Sequence, residues 1–453
     1  MEGREQGAGS WESLEGKMKR TSSLDNVSTK LQRIAKLAAR APQMVIQTLA
    51  HHIDAEFLHV AYQRTRKDGA VGVDGQTAEA YEANLGGNLQ SLLDRFKSGS
   101  YFAPPVRRVH IPKDDGSTRP IGIPTFEDKV LQRAVVMVLE AVYEQDFVDC
   151  SYGFRPKKTA HQALQRVWDE LMRMGGGWVL EVDIRHFFDS VDHHHLRVIL
   201  DQRVRDGVIR RTIDKWLKAG VLEDGAVRRP DEGTPQGGVV SPLLANVYLH
   251  EVLDVWFEQE VRPRLDGSAS LIRYADDAVM IFARQADAQR VMDVLPKRFG
   301  KYGLTLHPAK TRLLDFRRPS SDDDDRGSFD LLGFTHFWGK SWKSGRWLVK
   351  RKTMRARLSR AIKRISEWCR RNRHLPVHEQ HKQLVRKMAG HYGYYGITGN
   401  MRSLTRFVHE TTHAWRRWLD RRSNRKMTWQ RFKVLLRRYP VPPARIVHSV
   451  YRS

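Results

Sequence analysis

At 453 residues the chain is long enough to bury a large core in two or three domains. A formal net charge of +26 and a pI of about 10.2 call for a polyanionic partner. Two cysteines, Cys150 and Cys369, exclude a disulfide framework and a multi-thiolate zinc site, and no apolar run reaches the ~18 residues of a membrane span. The start, Met1-Glu2-Gly3-Arg4-Glu5, carries no apolar signal segment, so a cytoplasmic location, with no membrane partner, is expected by elimination. The charge is lopsided. Residues 345–453 hold 29 Lys and Arg against 4 Asp and Glu, a net of +25, whereas the first 344 residues are almost neutral.

In chain order, residues 1–27 are Gly-, Ser- and Glu-rich and are expected to be a disordered tail. Helical spacing begins near Val27 with Leu31, Ile34, Leu37 and Ala38 and stops at Ala41-Pro42. A second helical stretch is expected from Met44 to Arg66, followed by the turn-rich Gly72-Val73-Asp74-Gly75. Two strands follow, Val106 to Ile111 and Arg119 to Ile123, joined by Lys113-Asp114-Asp115-Gly116-Ser117. Lys113 and Arg119 are either solvated strand-edge cations or groups that reach phosphate oxygens. A long helix is expected over Phe126 to Tyr143, then a turn at Ser151–Pro156.

Trp178-Val179-Leu180-Glu181-Val182-Asp183-Ile184 reads as a strand ending on a carboxylate. Taken alone, Asp183 is a helix cap after a core strand. His193-His194-His195 reads as a helix start at the surface, because adjacent histidines do not converge on one ion. Gly233-Thr234-Pro235-Gln236-Gly237-Gly238 is a turn opening an apolar helix, where glycines allow close backbone approach and Gln236 offers a donor and an acceptor. Leu271-Ile272-Arg273 and Val279 to Phe282 flank Tyr274-Ala275-Asp276-Asp277, a hairpin with two acids at its turn. Burying adjacent carboxylates is costly unless a cation neutralises them. Asp183, Asp276 and Asp277, from two neighbouring strands, are suited to hold two Mg²⁺ about 3.5–4 Å apart for an in-line attack on phosphorus. Asp322-Asp323-Asp324-Asp325 reads instead as a solvated insertion, since consecutive side chains point apart.

From Lys350 a basic helix is expected, with Arg351, Lys352, Arg355, Arg357 and Arg360 set against Met354, Leu358, Ile362 and Ile365. Tyr392, Tyr394 and Tyr395, then Trp415-Arg416-Arg417-Trp418, Arg421, Arg422, Arg425 and Lys426, interleave aromatics with cations as RNA contact surfaces do.

Six blocks stand in a telling order: Ile111-Pro112-Lys113, Arg119 to Pro124, Ser151-Tyr152-Gly153-Phe154-Arg155-Pro156, Asp183 to Phe188, the Pro235-Gln236-Gly237 turn and Tyr274 to Asp277. Gly303-Leu304, Lys310-Thr311 and Leu332-Gly333-Phe334 follow. In these the chain strongly resembles the group II intron reverse transcriptase/maturase family, over roughly residues 28–453. The resemblance implies an α+β right-hand polymerase with an N-terminal extension at 28–99, fingers and palm at 100–338 and an all-helical basic thumb and maturase domain at 345–453. It implies RNA-directed DNA polymerase activity on dNTPs, with an RNA template and a DNA primer or target DNA, and two Mg²⁺ for which Mn²⁺ can substitute. Asp183, Asp276, Asp277 and the Ile184 carbonyl would hold the metal. Lys113, Arg119, Gln236, Gly237 and Lys310 would bind substrate, while Phe188 would exclude a 2′-hydroxyl. Arg351, Lys352, Arg355, Arg416, Arg417, Arg421, Arg422, Arg425 and Lys426 would bind the parent intron RNA as a splicing-assisting maturase, in a bacterial-type cell at the nucleoid when on DNA. Many members continue into a His-Asn-His nuclease with paired cysteines, which no residue after Cys369 supplies. Two other classes share parts of this pattern: a domesticated reverse transcriptase in antiviral defence or CRISPR-type adaptation, and a non-enzymatic RNA-binding splicing factor, which the intact acid triad disfavours.

Overall fold

The computed structural model of the chain describes residues 8–112, 118–223, 226–228, 233, 237–342, 344–422 and 426–449. The first helix, α1 (Ala8–Arg40), starts well before Val27, so residues 8–27 are helical rather than an unstructured tail. No proline precedes Pro42, and a helix nucleated on a packed segment propagates until something stops it. Val27, Ile34 and Ala38 are buried where α1 lies on the later helix α5. Pro42 ends the winding, and Arg203, paired with Asp146 at 2.8 Å, satisfies the freed carbonyls of Ala38 (2.8 Å), Ala41 (2.8 Å) and Met44 (2.7 Å).

The stretch expected as one helix from Met44 to Arg66 is broken. Asp206 accepts from the backbone N–H groups of Leu49 (2.6 Å) and Ala50 (2.8 Å), and Asp54 then caps α2 (Ala55–Arg64) through Phe57 N–H. Two more helices, α3 (Ala78–Glu82) and α4 (Leu85–Ser98), complete this layer. The hairpin β1 (Val106–Pro112) and β2 (Thr118–Ile123) pairs Ile111 with Arg119. Helix α5 (Phe126–Tyr143) is buried nearly all round, as its apolar sequence dictates, and Thr125 caps it. Helix α6 (Ala160–Met174) begins in a Thr159/Gln162 capping box and ends at left-handed Gly175.

The central sheet has the order β6-β7-β3-β8 and is antiparallel throughout. Its strands are β3 (Trp178–Asp183), β6 (Ala269–Tyr274), β7 (Asp277–Phe282) and β8 (Arg312–Asp315). Between β3 and β6 run α7 (His193–Asp201), α8 (Gly207–Lys218), short strands β4 (Val221–Glu223) and β5 (Ala226–Arg228), and α9 (Ser241–Leu249). Strand β4 joins β1 in parallel, so a second sheet has the order β2-β1-β4-β5. Helix α9 continues in π winding from His250 to Val261. Helix α10 (Gln285–Gly300) packs back on β3.

A third sheet, β11-β10-β9, is built from β9 (Ser328–Leu331), β10 (Phe334–Lys340) and β11 (Trp347–Thr353). Arg351 and Lys352 therefore lie on a strand, not on the expected helix. Burial alternates from Val349 to Thr353, as in a strand, with Val349, Arg351 and Thr353 inward, and the segment pairs with β10; helix winding starts only at α11 (Arg355–Arg371). Helices α12 (Val377–Tyr395), α13 (Met401–Asp420) and α14 (Trp429–Arg438) follow and close around a separate core of Leu384, Met388, Tyr392, Phe407, Trp415 and Phe432.

Candidate active site

Strand register builds the site. Asp183, last residue of β3, stands directly opposite Asp277, first residue of β7. Asp276 sits in the two-residue turn between β6 and β7, next to Ala275 at φ 58°. A non-glycine residue in the left-handed region is uncommon and needs support from its surroundings. Arg273 supplies it: wholly buried, it donates to Ala275 O (2.9 Å), Asn246 Oδ1 (3.0 Å), Ser151 Oγ (2.8 Å) and the buried Asp254 carboxylate (2.5 and 2.7 Å). Gly153 presses on the same turn, and a Cβ there would lie 2.3 Å from Ala275 N.

Burial raises the Asp276 carboxyl, with Arg119 and Arg273 pulling it back. Burial, then the charges of Asp276 and Asp183, push Asp277 up to about 6, although its side chain opens onto the cleft. Three mutually repelling carboxylates, partly withdrawn from water, form a donor set that suits hard divalent cations. Among the described residues no three His, Cys, Asp or Glu side chains already converge on one point, so metal would have to draw the carboxylates together. Lys310 Nζ lies 3.4 Å from Asp183 Oδ2, an ammonium beside the carboxylate that begins the triad.

Asp183 and Asp277 line a cleft of about 650 Å³. Lys310, Arg357 of α11 and Tyr394 and Tyr395 of α12 line it with them. Tyr394 donates to Leu332 O at 2.8 Å, which ties the C-terminal helices to the sheet carrying Gly333. Sequence reasoning placed Arg357 only on a basic helix face, and neither its approach to Asp277 nor the Arg273–Asp254 pair carries a local sequence signal.

Other expected residues are placed as follows. Ile184 is buried just past Asp183, bridged to Leu306. Phe187 is core, while Phe188 is half-buried with its ring 5.3 Å from that of Phe187. Arg119 extends from β2 near enough to lower Asp276. Gly237, at φ 117°, touches β2: a Cβ would meet Gly122 O at 2.5 Å. Lys113, Gln236 and Arg425 lie outside the described residues. His193 departs from its expected surface position, being buried with Nε2 2.6 Å from Gly233 O.

The expected RNA-contact residues divide. Arg351 is buried and donates to Leu164 O at 3.2 Å, so it is not a surface contact; strand alternation turns it inward and its neighbour Lys352 outward. Tyr392 and Trp415 are likewise fully buried. Arg355, Arg417, Arg421, Arg422 and Lys426 are exposed, with Arg421 over the Trp418 ring at 5.0 Å. Arg416 is half-buried, stacked 4.4 Å from the Trp429 ring and donating to Met427 O.

A carboxylate-bearing hairpin turn paired in register with a third acid, beside a cleft lined with cations, belongs to the class of the reverse transcriptases: residues 111–336 match the family described as "Reverse transcriptase (RNA-dependent DNA polymerase)". Within that class the chain is similar to proteins described as group II intron-encoded or as intron maturases. It is 38% identical over 256 residues to "Protein YkfC" of Escherichia coli K12, covering 55% of this chain and 66% of that one. It is 37% identical over 224 residues to "Group II intron-encoded protein LtrA" of Lactococcus lactis subsp. cremoris, covering 49% of this chain and 37% of that one. "Nuclear intron maturase 2, mitochondrial" of Arabidopsis thaliana is 29% identical over 175 residues, 30% of this chain and 24% of that one. The aligned regions thus span 24% to 66% of these relatives. Among the described residues no helix is long and apolar enough to cross a membrane.

Proposed function

We propose that the protein is an RNA-directed DNA polymerase that extends a DNA primer with dNTPs on an RNA template. The observation that carries this reading is the register pairing of Asp183 with Asp277, beside Asp276, at the mouth of a cleft edged by Lys310 and Arg357. In this reading the β1–β2 hairpin serves as fingers, the β6-β7-β3-β8 sheet as palm and α11–α14 as thumb. Asp183, Asp276, Asp277 and the Ile184 carbonyl would hold two Mg²⁺, or Mn²⁺ in their place. Those ions, when bound, supply charge neutralisation for the triphosphate and a lowered pKa for the primer 3′-hydroxyl. The chain's own groups do the rest. Arg119, with Lys113 and Gln236 outside the described residues, would orient the triphosphate and base; Gly237, whose missing Cβ leaves room against β2, would bind substrate beside them. Phe188 would underlie the sugar. Arg357 and Lys310 would steady phosphates on the cleft side of the triad.

The names of the relatives support a second role, binding a group II intron RNA and aiding its splicing. The exposed cations Arg417, Arg421, Arg422 and Lys426 would serve that contact. Primer extension on an RNA template tests the first role: Asp277→Asn should lower turnover by about 10³-fold, with RNA affinity retained. Substantial extension by that variant would refute the assignment. Charge reversal at Arg421 and Arg422 tests the second role: protein-dependent splicing at low Mg²⁺ should fall while extension on a generic template survives.

A further inference from the structure

Helix α5 is largely apolar and buried nearly all round, yet two of its inward side chains are polar. Asp128 and Gln132 stand one turn apart on the same face, and both are buried. Leucine or methionine would fill either position without the cost of withdrawing a carboxylate and an amide from water. The two side chains form a directed chain of hydrogen bonds. Asp128 Oδ1 accepts from the Tyr101 hydroxyl and from Trp216 Nε1 at 2.6 Å, and Oδ2 accepts from Gln132 Nε2 at 2.9 Å. Gln132 Oε1 in turn accepts from the backbone N–H groups of Val239 (2.7 Å) and Val240 (3.2 Å).

The direction of this chain is set at one end. Trp216 Nε1–H can only donate, so Asp128 must accept there. Burial pushes the Asp128 carboxyl up to about 6 against the pull of its three donors, so above that pH both oxygens are acceptors. An accepting Oδ2 draws the amide nitrogen of Gln132 toward it, which leaves Oε1 facing Val239 and Val240. A reversed amide would set Nε2 against two N–H donors. Those two N–H groups belong to the segment that joins the Pro235-Gln236-Gly237 motif to α9. Val240, which precedes α9, makes no side-chain cap, and Pro242 stands in the first turn of the helix. Two residues before Val239, Gly237 touches β2 so closely that a Cβ would meet Gly122 O at 2.5 Å. Residues 237–240 are therefore held between β2, which carries Arg119, and the Gln132 amide of α5.

We propose that Gln132, oriented by Asp128, is a positioning residue that fixes the Pro-Gln-Gly motif against β2 for nucleotide binding. This rests on the reading of Gln236 and Gly237 as substrate-binding groups and adds the anchor behind them. The bonds of the anchor end beside Gly237 and not on the carboxylate triad. Its loss is therefore felt as weaker dNTP binding rather than as slower chemistry.

The test uses the full chain and measures dNTP kinetics, primer–template affinity and amide hydrogen exchange across residues 237–249. Gln132→Met keeps the volume and removes the acceptor. It should raise KM for dNTP about tenfold, with kcat within about threefold and primer–template affinity unchanged, and should speed exchange at Val239 and Val240. Asp128→Asn should act alike: its carbonyl must face Trp216, so its amide nitrogen turns on Gln132 and reverses that amide. The transposed pair Asp128→Asn/Gln132→Glu restores the direction, because the introduced amide donates to the introduced carboxylate, whose other oxygen accepts from Val239 and Val240. It should return KM to within about threefold of the parent and recover the lost protection. The proposal is overturned if Gln132→Met leaves KM and exchange unchanged, if kcat and primer–template affinity fall along with dNTP binding, or if the transposed pair is no better than the worse single variant. Should Gln132→Met fail to fold, Asp128→Asn and the transposed pair decide by the same criteria. Primer extension by the unaltered chain is scored separately. Without extension the polymerase reading falls, and exchange alone decides whether Gln132 holds the segment; with extension, unchanged KM and exchange remove the anchor alone.

Discussion

Arg273 and Asp254 form a fully buried ion pair, Nη2 to Oδ2 at 2.5 Å, directly behind the turn that presents Asp276 and Asp277. Every remaining guanidinium direction is used on Ala275 O, Asn246 and Ser151, which joins β6, the π-wound helix and the Ser151–Pro156 turn at one point. Deleting one partner strands the other charge without water. Asp254→Ala or Arg273→Ala should therefore cost about 3–5 kcal/mol of stability in urea unfolding. The exposed Arg290–Asp266 pair at 3.1 Å gives the contrast: Asp266→Ala should cost less than about 1 kcal/mol.

Gly153 is a packing requirement of the same turn. Its missing Cβ would sit 2.3 Å from Ala275 N and 2.9 Å from the Tyr274 carbonyl carbon, both backbone atoms that cannot rotate aside. Gly153→Ala should displace the turn and lower primer extension by about 10²-fold, the scale of loss expected from an ångström of misplacement. Gly175→Ala tests a glycine whose Cβ would meet nothing within 4 Å, and it should leave extension near normal despite the backbone strain at φ 69°.

Phe188 is half-buried beside core Phe187, with its backbone carbonyl against Gly233. If its ring occupies the space of a 2′-hydroxyl, Phe188→Val should raise the kcat/KM ratio for ribonucleotides over deoxyribonucleotides by about tenfold or more. An unchanged ratio with normal overall activity would return Phe188 to a packing role.

Asp277 carries a pH dependence with a definite sign. Its carboxyl is raised to about 6 by burial and by the neighbouring charges of Asp276 and Asp183, above its ordinary value of 3.8. A raised carboxyl retains its proton at mildly acid pH, and a divalent cation must displace that proton to bind. Mn²⁺ affinity, followed by electron paramagnetic resonance, should climb steeply as pH rises through about 6 and flatten above it. Asp277→Asn should bind weakly and lose that inflection.

Much of the site was legible because its signals are local. A strand ending in Asp183 and a hairpin carrying Asp276-Asp277 each declare themselves through alternating apolar residues and a turn, with no reference to distant chain. The basic C-terminal quarter is equally local, since charge is counted residue by residue. What only the tertiary structure decided is which of those residues share a space. Arg351 and Lys352 are identical in charge and adjacent in sequence, yet pairing with β10 turns one into the protein and the other to water. Trp415 and Tyr392, which composition alone would offer to RNA, are consumed by the helical core. Arg273 reads as one more cation until the π-wound helix delivers Asp254 against it, 19 residues away. Local dihedral preference and periodicity are written in neighbouring residues, whereas burial and charge pairing depend on contacts between segments that the linear order does not juxtapose.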